Sequence, residues 1–361
     1  MAKLAVTGGG RCNITNTFEG VGDLREVYPR GFNLMRRSLG AFSQQDTLDW
    51  FGAEGVEFYA LPDGCVFPVS DDAGQITRTL ARLMRDLGVR VCCRSRIRTI
   101  EEGFELVTGD GARVPSDVVV VTSGGGSAAP LEPLGVRTVP PVPSLFTFKA
   151  GDRALHELMG VTVDGARLSL GGTKFKSEGT LLITDWGFSG PSVLRLSSYA
   201  ARYLAESSYK AGLVVNWLSL NEEQVRSVLT TLVADNPSRQ LSNVHPSALS
   251  GRLWTYLMGR AGLRADIRCS ELGGKGLGRL ASVLSSDSYP ITDRCRFKDE
   301  FVTCGGVDLA EVNPSTMESR RVPGLYFAGE VLDVDAVTGG FNLQAAWSTA
   351  YVVSKEIAKF V

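Results

Sequence analysis

Residues 324–350 have the sequence GLYFAGEVLDVDAVTGGFNLQAAWSTA, and this stretch predicts the fold of the chain. Residues 325–328 are apolar and aromatic, as in a buried strand, and a long helical pattern begins after Gly339 and Gly340. The N–H groups at the start of a helix have no partner within the helix, and the helix dipole is positive there. The stretch therefore predicts a site for an anionic or electron-rich ligand at the helix start.

Glu330 follows the predicted strand, directly after the turn residue Gly329. A carboxylate at the end of such a strand can accept hydrogen bonds from the hydroxyl groups of a ribose or ribityl chain. The ligand chemistry that this pattern favours is therefore that of a flavin or a dinucleotide. Asp333 and Asp335 come next, and they are candidates either for capping the loop or for relaying a proton.

The composition is that of an ordinary globular protein. The chain has 361 residues, of which 43% are hydrophobic, and its mean hydropathy is +0.03. This length suffices for two domains or for one domain with a large insertion. The formal net charge of −1 argues against electrostatic binding of nucleic acid or membrane by the whole protein. Residues 149–294 carry a mild positive excess, with 17 Lys and Arg against 13 Asp and Glu.

The cysteines do not follow a metal-binding or disulfide pattern. Their number is odd, two of them are adjacent, and no CxxC or histidine-paired spacing occurs. They are Cys12, Cys65, Cys92, Cys93, Cys269, Cys295 and Cys304. We therefore expect reduced thiols and no bound metal. The N-terminus has too short an apolar run for a signal peptide, and the aliphatic run at 118–121 is too short to span a membrane. These features predict a soluble, cytoplasmic protein.

The N-terminal part of the chain combines predicted strands and helices. The predicted strands are residues 3–7, 89–93, 97–101, 104–107, 113–114 and 118–121. The predicted helices are residues 32–39, 44–51 and 72–87. The run at 118–121 is wholly aliphatic, which is typical of a parallel strand that is covered on both faces.

A different pattern interrupts this α/β arrangement. Residues 140–143 are rich in proline and indicate a crossover between domains. Short strands with glycine turns are expected over 149–184. Helices are predicted at 191–206, 221–235 and 249–262. After Arg294 the chain returns to short strands. This order is typical of a doubly wound sheet that carries an inserted substrate-side domain. The predicted segments are 1–148, 149–294 and 295–361.

The glycines at residues 8–10 do not complete a dinucleotide fingerprint. The G-x-G-x-x-G pattern needs a third small residue at position 13, where the chain has Asn13. Neither an apolar-periodic helix nor a second strand ending in an acid follows. The segment is better interpreted as a loop whose glycines let the backbone approach a flat ligand, with Arg11 and Asn13 as hydrogen-bonding groups. The alternative is a turn that merely closes a strand.

Several motifs together resemble one family of bacterial flavoproteins. They are TGGGRCNITN at 7–16, FSGP at 188–191, TCGGV at 303–307, EVNP at 311–314, TMES at 316–319 and GLYFAGEVLDVDAVTGGFN at 324–342. They are similar to the motifs of the BaiN/RdsA-type FAD-dependent oxidoreductases, also described as aminoacetone oxidase-like. The resemblance covers essentially the whole chain. It implies a doubly wound, Rossmann-like FAD-binding domain from 1–148 and 295–361, with an inserted domain at 149–294 that is β-barrel-like and helical.

The resemblance implies a set of residues that line the FAD. They are Thr7, Gly8, Gly9, Gly10, Arg11, Cys12, Asn13, Ile97, Gly124, Gly329, Glu330, Gly339, Gly340, Phe341 and Asn342. The segment 7–13 would line the flavin and pyrophosphate, Gly329 and Glu330 the ribityl and phosphate region, and 339–342 the pyrimidine edge of the isoalloxazine. Ile97 would contact the adenine through its backbone, although it also fits a plain buried strand. Cys12 is the candidate for a catalytic thiol, with a small packed residue as the alternative.

The resemblance also implies that a family segment is missing before Met1. Family members carry a strand, a GxGxxG turn, a helix and an acidic residue there, and this unit holds the ADP half of the cofactor. Without it, neighbouring strands would expose unpaired edges. We therefore expect an N-terminally truncated domain, which reflects a misassigned start or a chosen boundary, and such a chain could be inactive.

The implied activity is hydride transfer through flavin N5 to or from a small organic substrate, such as an enone or an amino ketone. The first alternative is the reduction of uridine to dihydrouridine in ribosomal RNA. The second alternative is a truncated, flavin-free product without catalytic activity. Since no second dinucleotide fingerprint is present, NAD(P)H would serve as a transient reductant. The sequence predicts neither the substrate nor the oligomeric state.

One basic stretch bears on the choice between these substrates. It contains Arg252, Arg260, Arg264, Arg268, Lys275 and Arg279, with Asp266 and Glu271 as the acidic residues among them. Such a stretch mildly favours a contact with ribosomal RNA. The alternative interpretation is a solvated helix face, and the acidic overall charge favours a small-molecule substrate.

Overall fold

The computed structural model describes residues 1–126, 128–295 and 302–360. The chain forms two compact units. The first unit begins at Met1 and ends at Val142, and the chain returns to it at Val302. The second unit begins at Pro143. No helix of the described residues is both long enough and apolar enough to cross a membrane.

The secondary structure is mixed in both units. The α-helices of the described residues, α1 to α12 in chain order, are Ala2–Val6, Leu24–Val27, Phe32–Ala41, Gln44–Ala53, Ala73–Asp86, Arg153–His156, Pro191–Tyr199, Ala201–Glu206, Glu222–Ala234, Gly251–Arg260, Gly273–Ser285 and Phe341–Ile357. The strands, β1 to β16, are Thr15–Asn16, Phe58–Ala60, Cys65–Pro68, Ile97–Ile100, Glu105–Thr108, Arg113–Pro115, Val119–Val121, Thr138–Ser144, Phe148–Ala150, Thr162–Leu170, Lys176–Thr184, Gly187–Ser189, Ala211–Asn216, Asp287–Arg294, Val302–Val307 and Leu325–Phe327.

The first unit is built from small sheets and from helices that pack on them. Strands β1, β3 and β2 form one antiparallel sheet, and β4, β5 and β6 form another. Strands β7 and β16 form a parallel pair in which Leu325 lies opposite Val119. Strand β8 pairs with β15. The parallel pair leads into the turn at Gly329 and then to α12, so the strand, turn and helix predicted from residues 324–350 are confirmed.

The helices predicted in the first unit are also confirmed, and their ends follow from local capping. The N-cap Ser43 accepts a hydrogen bond from the Asp46 N–H and the Asp46 carboxylate accepts one from the Ser43 N–H, which closes a capping box at the start of α4. Asp72 caps α5 by accepting from the Gly74 N–H. Helix α3 extends from Phe32 to Ala41, two residues beyond its predicted end.

Two predicted strands of the first unit are wrong. Residues 3–7 form α1 and the beginning of a 3₁₀ turn. A segment without a strand neighbour satisfies its N–H and C=O groups locally, and a helical turn does so. Residues 89–93 form no strand, and Val89 and Val91 are exposed. Their β-branched side chains suggested a strand, but no described strand pairs with them.

The parallel strand β7 is not covered on both faces, contrary to the prediction. Val119 is buried, whereas Val120 is 38% exposed. A cavity of about 930 Å³ opens on this strand, and Ile97 of β4 also lines it. Val119, Val120 and Val121 all line this cavity, so packed elements do not cover the aliphatic run on both faces.

The second unit contains a closed antiparallel barrel. Its strands follow the order β10, β11, β12, β9, β14 and β13, and β13 pairs with β10 to close it. The long strand β10 alternates buried and exposed residues over much of its length, as barrel strands do. Closure leaves no free sheet edge. The inserted β-barrel-like domain predicted from the sequence is therefore present.

The helices of the second unit differ from the prediction in two respects. The helix expected over 191–206 is two helices, α7 and α8, which meet at Ala200. Helix α11 was not predicted, because its first turns contain four glycines, which have a low helix propensity: Gly273, Gly274, Gly276 and Gly278. The core of this unit includes the fully buried Trp217 and Trp254, and helices α7 to α11 pack on it with apolar faces.

Candidate functional site

The start of helix α12 lies against the segment that follows the N-terminal glycine turn. Gly340 caps the helix with a φ of 89°. A Cβ atom at this position would lie 2.2 Å from the carbonyl oxygen of Thr15 and 2.8 Å from Asn13 Oδ1. Asn16 Nδ2 donates a hydrogen bond of 3.0 Å to the carbonyl oxygen of Gly339. Position 340 therefore requires glycine, both for its left-handed backbone and for this close approach.

Asn13 leaves a buried hydrogen-bond acceptor without a partner. Among the described residues, its Oδ1 is one of two buried side-chain polar atoms that no hydrogen bond satisfies. Asn342 is different, because its Oδ1 accepts from the Ala336 N–H (2.9 Å) and its Nδ2 donates to the Ala336 carbonyl oxygen (3.0 Å). An unsatisfied buried acceptor is costly unless a ligand supplies the donor. Of these two predicted site residues, Asn13 is thus the one with a buried side-chain acceptor that no described group satisfies.

A buried network fixes α12 to the segment 14–16. Thr15 Oγ1 donates to Gln344 Oε1 (2.6 Å), and Thr47 Oγ1 of α4 donates to the same oxygen (3.0 Å). Trp347 Nε1 donates to the carbonyl oxygen of Ile14 (3.1 Å). Thr15 and Gln344 are fully buried. Hydrogen bonds shielded from water in this way hold two segments in one arrangement, so contacts from the first two turns of α12 position the helix start.

The glycines at residues 8–10 form a tight turn with an open side. Their φ angles lie between 58° and 87°. A Cβ atom on Gly8 would lie 2.7 Å from the N atom of Asn13, whereas Gly9 and Gly10 have no neighbour within 4 Å of such an atom. The guanidinium of Arg11 lies 4.2 Å from the centre of the Phe67 ring. The turn therefore presents bare backbone on its outer side, which lets a flat ligand approach.

Cys12 lies in the core beneath this turn. It is fully buried, and Ile14 and Val66 belong to the same apolar cluster. Burial raises the pKa of the Cys12 thiol to about 11, although a hydrogen bond with Thr7 opposes the shift. A thiol with this pKa is protonated at neutral pH and is a poor nucleophile.

Cys65 also lies beside the turn, and the sequence had not pointed to it. It is half-buried in β3, opposite Asn16. Burial raises the pKa of Cys65 to about 11, and a hydrogen bond with the Asn13 side chain opposes the shift. Asp63 and Gly64 precede it in a turn, and that turn was the available signal that this segment folds back towards a neighbour.

Glu330 forms a second cluster with a glycine turn. Its Oε1 accepts a hydrogen bond of 2.9 Å from the Thr303 N–H, and its Oε2 forms an ion pair with Lys3. A Cβ atom on Gly124 would lie 3.7 Å from Glu330 Oε2, and one on Gly125 would lie 3.0 Å from Oε1. The structure thus brings the predicted residues Gly124 and Glu330 together. Lys3 and Thr303 were not predicted as its partners, since they are distant from it in the sequence.

Gly329 and Ile97 occupy different surroundings. The Gly329 N–H donates 2.9 Å to Thr349 Oγ1 of α12, which ties the turn to the helix. Ile97 is half-buried and lines the cavity beside β7. Residues 122–123, which follow β7 and lead into the Gly124 turn, line the same cavity. Ile97 is therefore separate from the Glu330 cluster but faces a space that adjoins the turn.

Phe341 and Asp335 hold the loop before α12 in place. The Tyr28 hydroxyl donates 2.8 Å to the carbonyl oxygen of Phe341, whose ring packs edge to face with Phe18. The fully buried Asp335 carboxylate accepts two hydrogen bonds from Arg30. A buried carboxylate in a bidentate ion pair anchors a loop, and this favours the loop-capping interpretation of Asp335 over a proton relay.

The basic stretch of the second unit is partly neutralised. Arg260 pairs with the buried carboxylate of Asp287. Arg264 lies 3.5 Å from Asp266 and 3.8 Å from Glu271. Arg252 and Arg268 donate to the backbone carbonyl oxygens of Glu157 and Ser238. Several of these side chains therefore have partners within the protein.

Comparison with known proteins gives the family of the chain. The HI0933-like protein Rossmann domain matches residues 1–356, and the chain belongs to that family. It is 28% identical over 372 residues to a 3-dehydro-bile acid delta(4,6)-reductase of Clostridium scindens, with 99% of this chain and 90% of the relative covered. It is 30% identical over 371 residues to a ribosomal RNA dihydrouridine synthase of Escherichia coli, with 98% and 88% covered.

A similarly named protein of Haemophilus influenzae is 27% identical over 380 residues, with 99% of this chain and 90% of the relative covered. Among solved structures, the chain is similar to a mutant of the E. coli quinol fumarate reductase subunit FrdA. That likeness has a TM-score of 0.40 and 12% identity, and it covers 91% of this chain and 57% of the other. The resemblance to the BaiN/RdsA-type family is confirmed by the family match and by the curated relatives.

The burial of Cys12 and the raised pKa of its thiol predict selective alkylation of the exposed cysteines. Iodoacetamide reacts with thiolates, so Cys12 should remain unmodified in the folded protein at neutral pH, whereas the exposed Cys92 and Cys93 should react. Peptide mass spectrometry after a timed reaction measures the labelled fraction, and unfolded protein serves as the control in which every cysteine reacts. Modification of folded Cys12 as fast as Cys92 would show that the turn is open and that this burial is wrong.

Proposed function

We propose that this chain is an FAD-dependent oxidoreductase whose isoalloxazine binds between the glycine turn at 7–13 and the start of α12. The observation that carries the proposal is the unpartnered Oδ1 of Asn13, which lies beside the helix cap Gly340. Family membership and the reductase name of one relative support an oxidoreductase.

The residues present fit a flavin at this place. Asn13 Oδ1 requires a donor, and an isoalloxazine offers an N–H group on its pyrimidine ring. The N–H groups at the start of α12 and the positive end of its dipole suit the pyrimidine carbonyl groups. Gly9 and Gly10 leave open space beside the turn. Phe341 and Asn342 would contribute their backbone N–H groups, since the Asn342 side chain is already satisfied.

Further residues would hold the remainder of the cofactor. Glu330 would accept ribityl hydroxyl groups after exchanging its contact with Lys3, an exposed side chain that can move at low cost. Gly124 and Gly329 would allow close approach of the phosphate region, since both have positive φ. The cavity lined by Ile97 has room for the adenosine end, because its volume of about 930 Å³ lies at the upper end of the range of ligand pockets.

The protein's contribution to catalysis would be electrostatic. When bound, FAD supplies hydride transfer at N5. The start of α12 would stabilise negative charge on the pyrimidine side of the ring, because its N–H groups and dipole are fixed in advance. The network of Thr15, Thr47 and Gln344 would maintain that position. Cys12 would act as a small packed residue, since its thiol is buried and protonated.

For the substrate we propose a small organic molecule with an enone or amino ketone group. One relative is named a bile acid reductase, and the net charge of −1 gives no general attraction for nucleic acid. Reduction of uridine in ribosomal RNA is the second candidate, because two relatives are named ribosomal RNA dihydrouridine synthases. A flavin-free, non-catalytic protein is the third candidate, and cofactor binding separates it from the other two.

The Asn13→Ala variant tests the cofactor site. We expect its affinity for FAD to fall by about tenfold, because the flavin N–H group loses its buried acceptor. The melting temperature without FAD should change little, because removal of an unsatisfied buried acceptor offsets the loss of the hydrogen bond between the Asn13 side chain and Cys65. Asn342→Ala is the matched control. It should lower the melting temperature because it leaves the Ala336 N–H unpaired. An unchanged FAD affinity in Asn13→Ala would contradict the proposed position of the flavin.

The substrate class can be tested on FAD-loaded protein with NADPH as reductant. We expect the protein to reduce a steroid enone, which liquid chromatography measures. We expect it to form no dihydrouridine in unmodified ribosomal RNA, which nucleoside mass spectrometry measures. A gel shift with the same RNA at low salt is the accompanying binding measurement. Dihydrouridine formation would instead favour the second candidate. A protein that takes up no FAD would support the third candidate.

A further inference from the structure

An arginine-lined cleft of about 730 Å³ lies in the first unit, between helix α3 and the segment 309–320. Arg36 and Arg37 line it from the helix, and Arg320 lines it from the facing segment. No carboxylate group lines it among the described residues. Three guanidinium groups around one concavity, without an acid to neutralise them, form a positive site that favours anionic ligands.

Two of these arginines are oriented by contacts within the protein. Arg37 Nη1 donates 2.6 Å to Ser315 Oγ, and Arg320 Nε donates 3.1 Å to the carbonyl oxygen of Val312. Each contact uses one donor of a group that carries five, so further donors are available to a ligand. Arg36 is exposed, and no carboxylate partner occurs for it among the described residues.

Glu311 lies in the segment 309–320 that borders the cleft, and its carboxylate is already paired. Glu311 is buried, and its two carboxylate oxygens accept hydrogen bonds from Arg137 and Arg321. The hydrogen bond from Arg137 lowers the pKa of Glu311, so it stays ionised and paired. It therefore does not cancel the positive charge of the cleft.

The cleft also offers backbone donors and apolar walls. Helix α3 begins at Phe32, after the N-cap Gly31, which has a φ of 76° and provides no side-chain cap, so the first N–H groups of the helix have no partner within it. Phe32 and Pro314 line the same cleft. Guanidinium groups with helix N–H groups suit phosphate, and apolar walls suit a nucleoside.

We propose that this cleft binds an adenine nucleotide with more than one phosphate, namely the adenosine 2′-phosphate end of NADPH. This rests on the proposed function, in which a pyridine dinucleotide reduces the enzyme. Arginine is the residue that accommodates a 2′-phosphate in NADP-binding proteins. Three arginines suffice for the 2′-phosphate and the pyrophosphate together, and their planar donors give bidentate contacts.

The cleft adjoins the loop before α12. A Cβ atom on Gly31 would lie 2.5 Å from Val334 Cγ2. The Val337 N–H donates 2.9 Å to the carbonyl oxygen of Val27, a residue of α2 just before the cleft. A dinucleotide anchored here would thus extend from a surface next to the loop that leads into the proposed flavin site.

A small nucleotide fits this unit better than RNA does. Residues 1–142 and 302–361 together carry 19 Lys and Arg against 24 Asp and Glu, a net charge of −5. A unit with this charge repels a long polyanion, whose binding depends on many phosphate contacts. A local group of three arginines can still bind a small anion, because its field is concentrated in the cleft.

Titration calorimetry with 2′,5′-ADP tests this proposal on the full chain. We expect binding to the native protein that is at least tenfold tighter than binding of 5′-AMP. Each of Arg36→Gln and Arg37→Gln should weaken binding by about tenfold, because each removes a charge-assisted contact. The matched control is Arg85→Gln, which makes the same charge change on a side chain that is 76% exposed at the end of α5. It should bind 2′,5′-ADP like the native protein.

Flavin absorbance and the melting temperature of each preparation separate the possible failures. If flavin is bound but 2′,5′-ADP binds no more tightly than 5′-AMP, the cleft proposal is wrong and the proposed function stands. If 2′,5′-ADP binds as expected without flavin, the proposed function fails instead. Equal binding by Arg36→Gln and native protein would overturn the proposal. The proposal would also be overturned if the native protein bound a single-stranded RNA oligomer but not 2′,5′-ADP, and if an arginine variant weakened that RNA binding.

Discussion

The structure of the candidate site depends on the close contact between Gly340 and the carbonyl oxygen of Thr15. No other residue allows this contact, because a Cβ atom would come within 2.2 Å of that oxygen and the backbone has a φ of 89°. The contact places the positive end of α12 beside Asn13. The buried hydrogen bonds from Thr15 and Thr47 to Gln344 then keep the helix from sliding.

This arrangement connects an apparent cost in stability to function. A buried amide oxygen without a donor destabilises the protein, and native structures contain few such groups. Asn13 Oδ1 is such a buried oxygen without a donor, and it lies where the start of α12 meets the glycine turn. Strained or unsatisfied groups concentrate at functional sites, because a ligand compensates for them. The candidate site therefore combines an unsatisfied buried acceptor with the positive end of a helix.

The sequence predicted the local elements well and the long-range partners poorly. The pattern of residues 324–350 predicted β16, the turn and α12, because period and glycine placement are local signals. It did not predict that Lys3 would pair with Glu330, or that Arg36 and Arg320 would line one cleft. These contacts join residues that are hundreds of positions apart, and propensity carries no information about them. The strand expected at residues 3–7 failed for a related reason, since strand formation requires a neighbour.

Titration of FAD onto native protein and onto Gly340→Ala, followed by flavin fluorescence, tests the central claim most directly. The account predicts one FAD bound per native chain and at least about tenfold weaker binding in Gly340→Ala, whose new methyl group displaces the helix start. Gly40→Ala is the control, since Gly40 lies in α3 with no neighbour within 4 Å of a Cβ atom, and it should bind like the native protein. The account would be contradicted if Gly340→Ala bound FAD as tightly as the native chain does. It would also be contradicted if the native chain bound no FAD.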